Sequence, residues 1–389
     1  MKLILHIGTQ KTGTTALQQF LYANRKPLAA CGFHYATPPH GLREANFVGN
    51  ALNVGKSRVV RAFFTKQMES ARLRGAHTIL ASAENFYAMS VLDAMQRREV
   101  CANAIERDHS LIETLRSLMP DGIDACRIVC YFRRPDRYAE SLYSQHVKRG
   151  IVFDGTFDAF LPIIGPALLY SAHMRAWSDV FGKENCIVRL YEPVRADIVS
   201  DFVRNVVSIE NIDQFADSQN QGNERVSRDL LEFKRLKNRT ARANERDIER
   251  TILRLVDEKM ELRKVEPGYY HDFLSPYGRA ELLRRLKPEM EALQTSHDVP
   301  PFPPFDLQSA KANWSPYPGL SQQRRQEIEL HYNRISKRVG FRLARLALRS
   351  ASLLRRSVPG TGALLDVVKT FGVKHVLQRW MGRMQLGSS

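Results

Sequence analysis

Gly8-Thr9-Gln10-Lys11-Thr12-Gly13-Thr14-Thr15 places a lysine between two glycines and follows the apolar run Lys2–Ile7 without a break. The amides of such a turn, with the first N–H groups of the helix after it, carry the positive end of the peptide dipoles and bind an anion. Lys11 adds a mobile charge. The chemistry this favours is phosphate binding. A nucleotide-hydrolysing loop reads G-x-x-x-x-G-K-[ST], with its lysine on the terminal phosphates and its hydroxyl on magnesium. Gly8 and Gly13 keep the glycine spacing, but Thr14 stands where that lysine belongs and Lys11 lies inside the loop. The lysine and metal-ligand pairing of NTP hydrolysis is therefore missing, and no metal is expected.

A second group, Tyr131-Phe132-Arg133-Arg134-Pro135-Asp136, ends another apolar run, and Ser141 follows eight residues after Arg133. Proline opens a helix readily, and a guanidinium fork suits a phosphate monoester. Arg133 and Ser141 are thus candidates for a second phosphate. A base is sought in Leu80-Ala81-Ser82-Ala83-Glu84-Asn85-Phe86, which lies between the two anchors in the chain and puts Glu84 just past a strand end. His40, in Pro38-Pro39-His40-Gly41, and His34 are the other candidates. His6 is expected to pack inside.

The two phosphate motifs together resemble those of PAPS-dependent sulfotransferases of the bacterial type. The loop is similar to the family's 5′-phosphosulfate pattern P-K-[ST]-G-T-[ST], with Gln10 in place of the common proline. The second group is similar to R-x-P-x-x-x-x-x-S, with Arg134 where Asp or Asn is usual. Leu169-Tyr170, Trp177, Phe181-Gly182 and Cys186-Ile187-Val188-Arg189-Leu190-Tyr191-Glu192 extend the likeness, which covers roughly residues 1–300. It implies a P-loop NTPase-like sulfotransferase fold with PAPS as co-substrate. Lys11, Thr12, Gly13, Thr14 and Thr15 would hold the 5′ side, Arg133 and Ser141 the 3′-phosphate, and Tyr191 would lie by the adenine. Lys11, Glu84 and His40 are the implied catalytic candidates.

These residues need elements to position them. Strand patterns at residues 2–7, 77–82, 127–132 and 186–191 are apolar nearly throughout, as strands covered on both faces are. Helical patterns at residues 14–28, 110–118, 136–148 and 169–181 alternate with them. The alternation predicts an α/β parallel sheet flanked by helices, with ligands at the strands' carboxyl ends. Charged helical patterns at residues 225–237, 245–263 and 275–293 add helices to the C-terminal half. The run Pro300-Pro301-Phe302-Pro303-Pro304 is expected to end a domain spanning residues 1–300, ahead of a basic region at residues 301–389.

The chain has 389 residues, 43% of them hydrophobic, enough for a full core. Its five cysteines form no C-x-x-C pair and no metal spacing. A reducing cytoplasm is the expected setting, and no transmembrane helix is predicted. The formal charge is +17, and residues 330–389 hold 12 Lys and Arg against the single acid Asp366. There Ile335, Val339, Leu343, Leu346 and Leu353 run beside Arg338, Arg342, Arg345, Arg349 and Arg356. This is the pattern of a basic amphipathic helix suited to the inner face of a plasma membrane, to a polyanionic acceptor, or to docking on its own domain. Nucleic acid is disfavoured, since no aromatic platform accompanies the charge. The expected activity is sulfuryl transfer from PAPS to a hydroxyl of a carbohydrate or glycolipid. A non-catalytic protein that binds phosphate or anionic surfaces, and a P-loop kinase, remain as alternatives.

Overall fold

Burial on both faces makes a strand parallel and central, and the β1 strand (Lys2–Gly8) obeys this, with every residue from Leu3 to Gly8 buried. The computed structural model describes residues 1–38, 43–148, 153–211, 215–216, 226–239, 246–262 and 272–338. Around β1 stand β2 (Phe33–Tyr35), β3 (Thr78–Ser82), β4 (Ala125–Phe132) and β5 (Cys186–Leu190), in the order β2-β3-β1-β4-β5. All described pairings are parallel. The parallel α/β sheet expected from the sequence is thus present, with an added edge strand, β2. At three residues β2 is too short to show a period.

From β1 the chain crosses to the edge strand β2, returns through β3 beside β1, and then passes to β4 and β5 on the other side. Such a reversal opens a crevice at the carboxyl ends of the strands. The register between β1 and β4 slips there, from His6 opposite Val129 to Gly8 opposite Cys130. The slip bends β1 away from its ladder as the loop begins.

The helix expected over residues 14–28 breaks at Asn24 into α1 (Thr14–Ala23) and the helix Arg25–Ala30. The Asn24 side chain donates to Phe20 O and Ala216 O (both 3.1 Å) and accepts from Ala216 N–H (2.8 Å). An asparagine that finds such partners competes with the helix ladder. Leu17, Phe20 and Leu21 of α1 meet Ile4, Val129 and Tyr131 of the sheet and Ile198, Phe202 and Val203 in one buried cluster.

Contacts divide the chain into two compact units: Met1–Gln145 with Gly155–Glu224 and Asp272–Pro316, and His146–Asp154 with Arg225–His271 and Tyr317–Ser389. The sheet unit therefore continues past the Pro-rich run expected to end it at residue 300, and the segment 225–271 leaves it. Arg134 holds that run: Nη1 donates to Pro303 O (3.1 Å) and Pro304 O (3.0 Å), while Phe302 is buried near Tyr170. Prolines lack N–H groups but keep carbonyls that a guanidinium can use. The second unit has its own core of Leu230, Phe233, Ile252, Leu253, Val256, Leu262, Ile328 and Tyr332, against which Ile335 packs. His40 and residues 339–389, with most of the basic amphipathic pattern, lie outside the described residues. No helix among the described residues is long and apolar enough to cross a membrane.

Candidate active site

The turn after β1 is held by its own threonines. Thr9 donates to Tyr131 O of β4 through both its N–H (2.9 Å) and its hydroxyl (3.0 Å). Thr12, fully buried, donates its hydroxyl to Thr9 O (2.6 Å). That hydroxyl is therefore spent on shaping the loop. Lys11 and Gly13 both adopt positive φ, 67° and 76°. Gly13 is the N-cap of α1 and offers no side-chain cap, so the first donors of the helix precede its first bonded amide, Ala16 N–H on Gly13 O (3.0 Å). These donors are the groups an anion would take up. Thr14 is buried and Thr15 is exposed beside it.

Three strand ends converge on this loop. A Cβ placed on Gly13 would lie 3.0 Å from Ile198 Cγ2 and 3.4 Å from Tyr191 Cε2, so the glycine lets the loop approach the Tyr191 ring. On the ring's other neighbour, the Arg133 guanidinium carbon is 5.8 Å from the Tyr191 centroid, within cation–π range. From β3, Glu84 accepts the Thr14 hydroxyl at 2.5 Å. The structure thus brings together Lys11–Thr15, Glu84, Arg133 and Tyr191. In the sheet, β3 and β4 flank β1, so Glu84 and Arg133 approach the loop from opposite sides and Glu84 does not lie between the anchors. Ser141 is half-buried on the helix Pro135–Lys148, about 9 Å along its axis from Pro135.

The remaining candidates separate clearly. His34, in β2, is buried with Nε2 3.0 Å from Gln67 Oε1, and burial lowers its pKa. His6 is fully buried with Nδ1 2.9 Å from Ser82 Oγ, and burial lowers its pKa to about 4. It is a neutral packing residue, as expected. Among the described residues no group of His, Cys, Asp and Glu is placed to hold a metal ion.

The sulfotransferase domain model matches residues 2–294. The chain belongs to the sulfotransferase family. No curated protein matches it. Among solved structures, a sulfotransferase from Alicyclobacillus acidocaldarius matches with 14% identity and a TM-score of 0.38, over 80% of this chain and 99% of that one.

Sequence reasoning about this sulfotransferase missed the residues that hold Arg133 in place. Tyr170 Oη donates to Arg133 O (2.8 Å), and the next amide, Arg134 N–H, donates to Glu192 Oε1 (2.8 Å). The Arg134 side chain forks onto Asp136 through Nε (2.7 Å) and Nη2 (2.9 Å), and Arg279 meets both Asp136 and Glu140. The two arginines keep the Asp136 carboxyl low against the opposing effect of its burial. Arg134 therefore belongs to the framework, while Arg133 faces the crevice. The only local signal for this division is the i, i+2 spacing of Arg134 and Asp136. Glu192 and Arg279 arrive from distant chain segments, and Glu140 stands one turn after Asp136 on the same helix.

Proposed function

We propose that this sulfotransferase takes its sulfuryl group from PAPS and passes it to a hydroxyl of a carbohydrate or glycolipid. The observation that carries the reading is the Tyr191 ring, which has both Gly13 and the Arg133 guanidinium close to it. Two anion-seeking groups stand near one aromatic surface, which is the arrangement that adenosine with a 3′-phosphate and a 5′-phosphosulfate calls for. The cradle fits: its helix opens without a side-chain cap, which leaves its first amides for an anion.

Lys11 and the amides from Gly13 to Thr15 hold the 5′ side, where negative charge grows as the sulfuryl group departs. Arg133 and Ser141 hold the 3′-phosphate, and Tyr191 supports the base. PAPS supplies the sulfuryl group. Glu84, bonded to Thr14 at the loop, takes the proton of the acceptor hydroxyl, with His40 the other candidate. Alignment of the acceptor with the leaving phosphate is the larger contribution, as in phosphoryl transfer.

The test is calorimetric titration with 3′-phosphoadenosine 5′-phosphate and with ATP plus magnesium, followed by sulfur-labelled transfer to cell-envelope fractions. Lys11→Ala and Arg133→Ala should each weaken binding of the bisphosphate by about tenfold or more, as loss of a charge-assisted contact requires. Undiminished binding in both variants would overturn the site. Tight binding without label transfer would favour a non-catalytic anion-binding protein, and preference for ATP with magnesium would favour a kinase.

A further inference from the structure

The side of the crevice facing β3 carries a line of amides that nucleotide binding does not use. Gln10 precedes Lys11 and is 7% exposed. Its Nε2 donates to Asn85 Oδ1 (3.2 Å), and Asn85 Nδ2 donates in turn to Asn50 Oδ1 (2.8 Å). Asn85 N–H donates to Asn46 Oδ1 (3.2 Å). The line starts in the phosphate loop, crosses the turn that carries Glu84, and ends on exposed Asn50 in the helix Asn46–Asn53. Gly49 eases it: a Cβ there would come within 3.2 Å of the Asn85 carbonyl, so a larger residue would push helix and turn apart by a few tenths of an ångström.

One atom in this line is unsatisfied. Gln10 Oε1 is buried and has no hydrogen-bond partner among the described residues. An orphaned buried carbonyl costs about 1–3 kcal/mol, and folded proteins leave few. Here the orphan sits next to Lys11 and one hydrogen bond from the residue after Glu84. A primary amide both donates and accepts, as a sugar hydroxyl does, so neighbouring ring hydroxyls can meet carbonyl and N–H together.

The geometry points to an acceptor subsite in which Gln10, Asn85 and Asn50 read neutral, adjacent hydroxyls of a sugar ring beside Glu84, with Gln10 Oε1 accepting from one of them. This rests on the sulfuryl-transfer reading above and adds to it the residues and the hydroxyl pattern that choose the acceptor. The experiment is saturation-transfer NMR on the full-length protein, with and without 3′-phosphoadenosine 5′-phosphate. The probes are methyl glucoside, methyl galactoside and methyl mannoside, with cyclohexanol as a ring of the same size bearing one hydroxyl. At least one hexoside should bind and cyclohexanol should not. Gln10→Met should weaken hexoside binding about fivefold, the worth of one neutral hydrogen bond. Asn50→Ala, at an exposed helix position that poses little risk to folding, should weaken it in the same direction. No hexoside binding, equal binding of cyclohexanol, or unchanged hexoside binding in both variants would overturn the subsite. Loss of bisphosphate binding alone would sink the nucleotide reading and leave the subsite to be judged by the nucleotide-free spectra.

Discussion

Glu84→Gln separates a base from a strut. In the structure the Glu84 carboxylate accepts the Thr14 hydroxyl at 2.5 Å, a charge-assisted hydrogen bond. Such a bond is worth about 1.5–3 kcal/mol and a neutral one about 0.5–1.5. Glutamine keeps a carbonyl oxygen in the same place, so the variant should lose only about 1 kcal/mol of stability, the difference between those two classes. Removal of a general base costs far more in rate, about 10²- to 10⁴-fold. The assay is paired: urea unfolding for stability, and single-turnover transfer of labelled sulfate at saturating PAPS for chemistry. Thr14→Val serves as the control, since it deletes the same hydrogen bond and leaves the carboxylate intact. The expected pattern is a large rate loss for Glu84→Gln and a small one for Thr14→Val, with bisphosphate affinity held in Glu84→Gln. Equal rate losses in the two variants, or a drop below about tenfold in Glu84→Gln, would refute the base assignment and leave the carboxylate as a support for the loop.

Two further outcomes follow from the framework. Arg134→Met breaks a buried fork and should lower unfolding stability by about 3–5 kcal/mol; Arg134→Lys should recover little of it, since one ammonium cannot form the fork and also reach the Pro303 and Pro304 carbonyls. A loss below about 1 kcal/mol in urea unfolding would mean the Pro-rich run is held by something else. Burial lowers the pKa of His6 and of His173 to about 4 each, below their unfolded value, so their contribution is present above about pH 6.5 and is lost as pH falls toward 4. Asp108, near His173, is pushed up to about 6 by burial and acts with the opposite sign, since its folded form takes up a proton first. Stability should therefore fall by about 2–3 kcal/mol between pH 7 and pH 5, where the two histidines outweigh the aspartate. His6→Gln should flatten the profile, and a stability that rises on acidification would contradict this balance.

Four of the five strands, their parallel arrangement and the turn after β1 could be read in the sequence because each depends on a local signal. Continuous apolar runs mark doubly covered strands, and glycines at residues 8 and 13 mark a turn that needs positive φ. Arg133 was legible for the same reason, at the end of one such run and ahead of a helix-opening proline. Asn24 was not, because the partner that breaks the helix there, Ala216, lies far along the chain. The Pro-rich run looked like a boundary, since nothing local shows that Arg134 would take its carbonyls.

By itself, then, the sequence determined four of the five segments that form the sheet and which residue types stand at its carboxyl edge, since short-range periodicity and turn chemistry carry that information. The tertiary structure decided which of those residues meet. It set Tyr191 close to both Gly13 and Arg133, bonded Glu84 to Thr14, withdrew Arg134 into the framework, and joined Gln10 to Asn85. These are contacts between strand ends brought together by sheet order, and sheet order is fixed by packing of the whole unit and by no single segment.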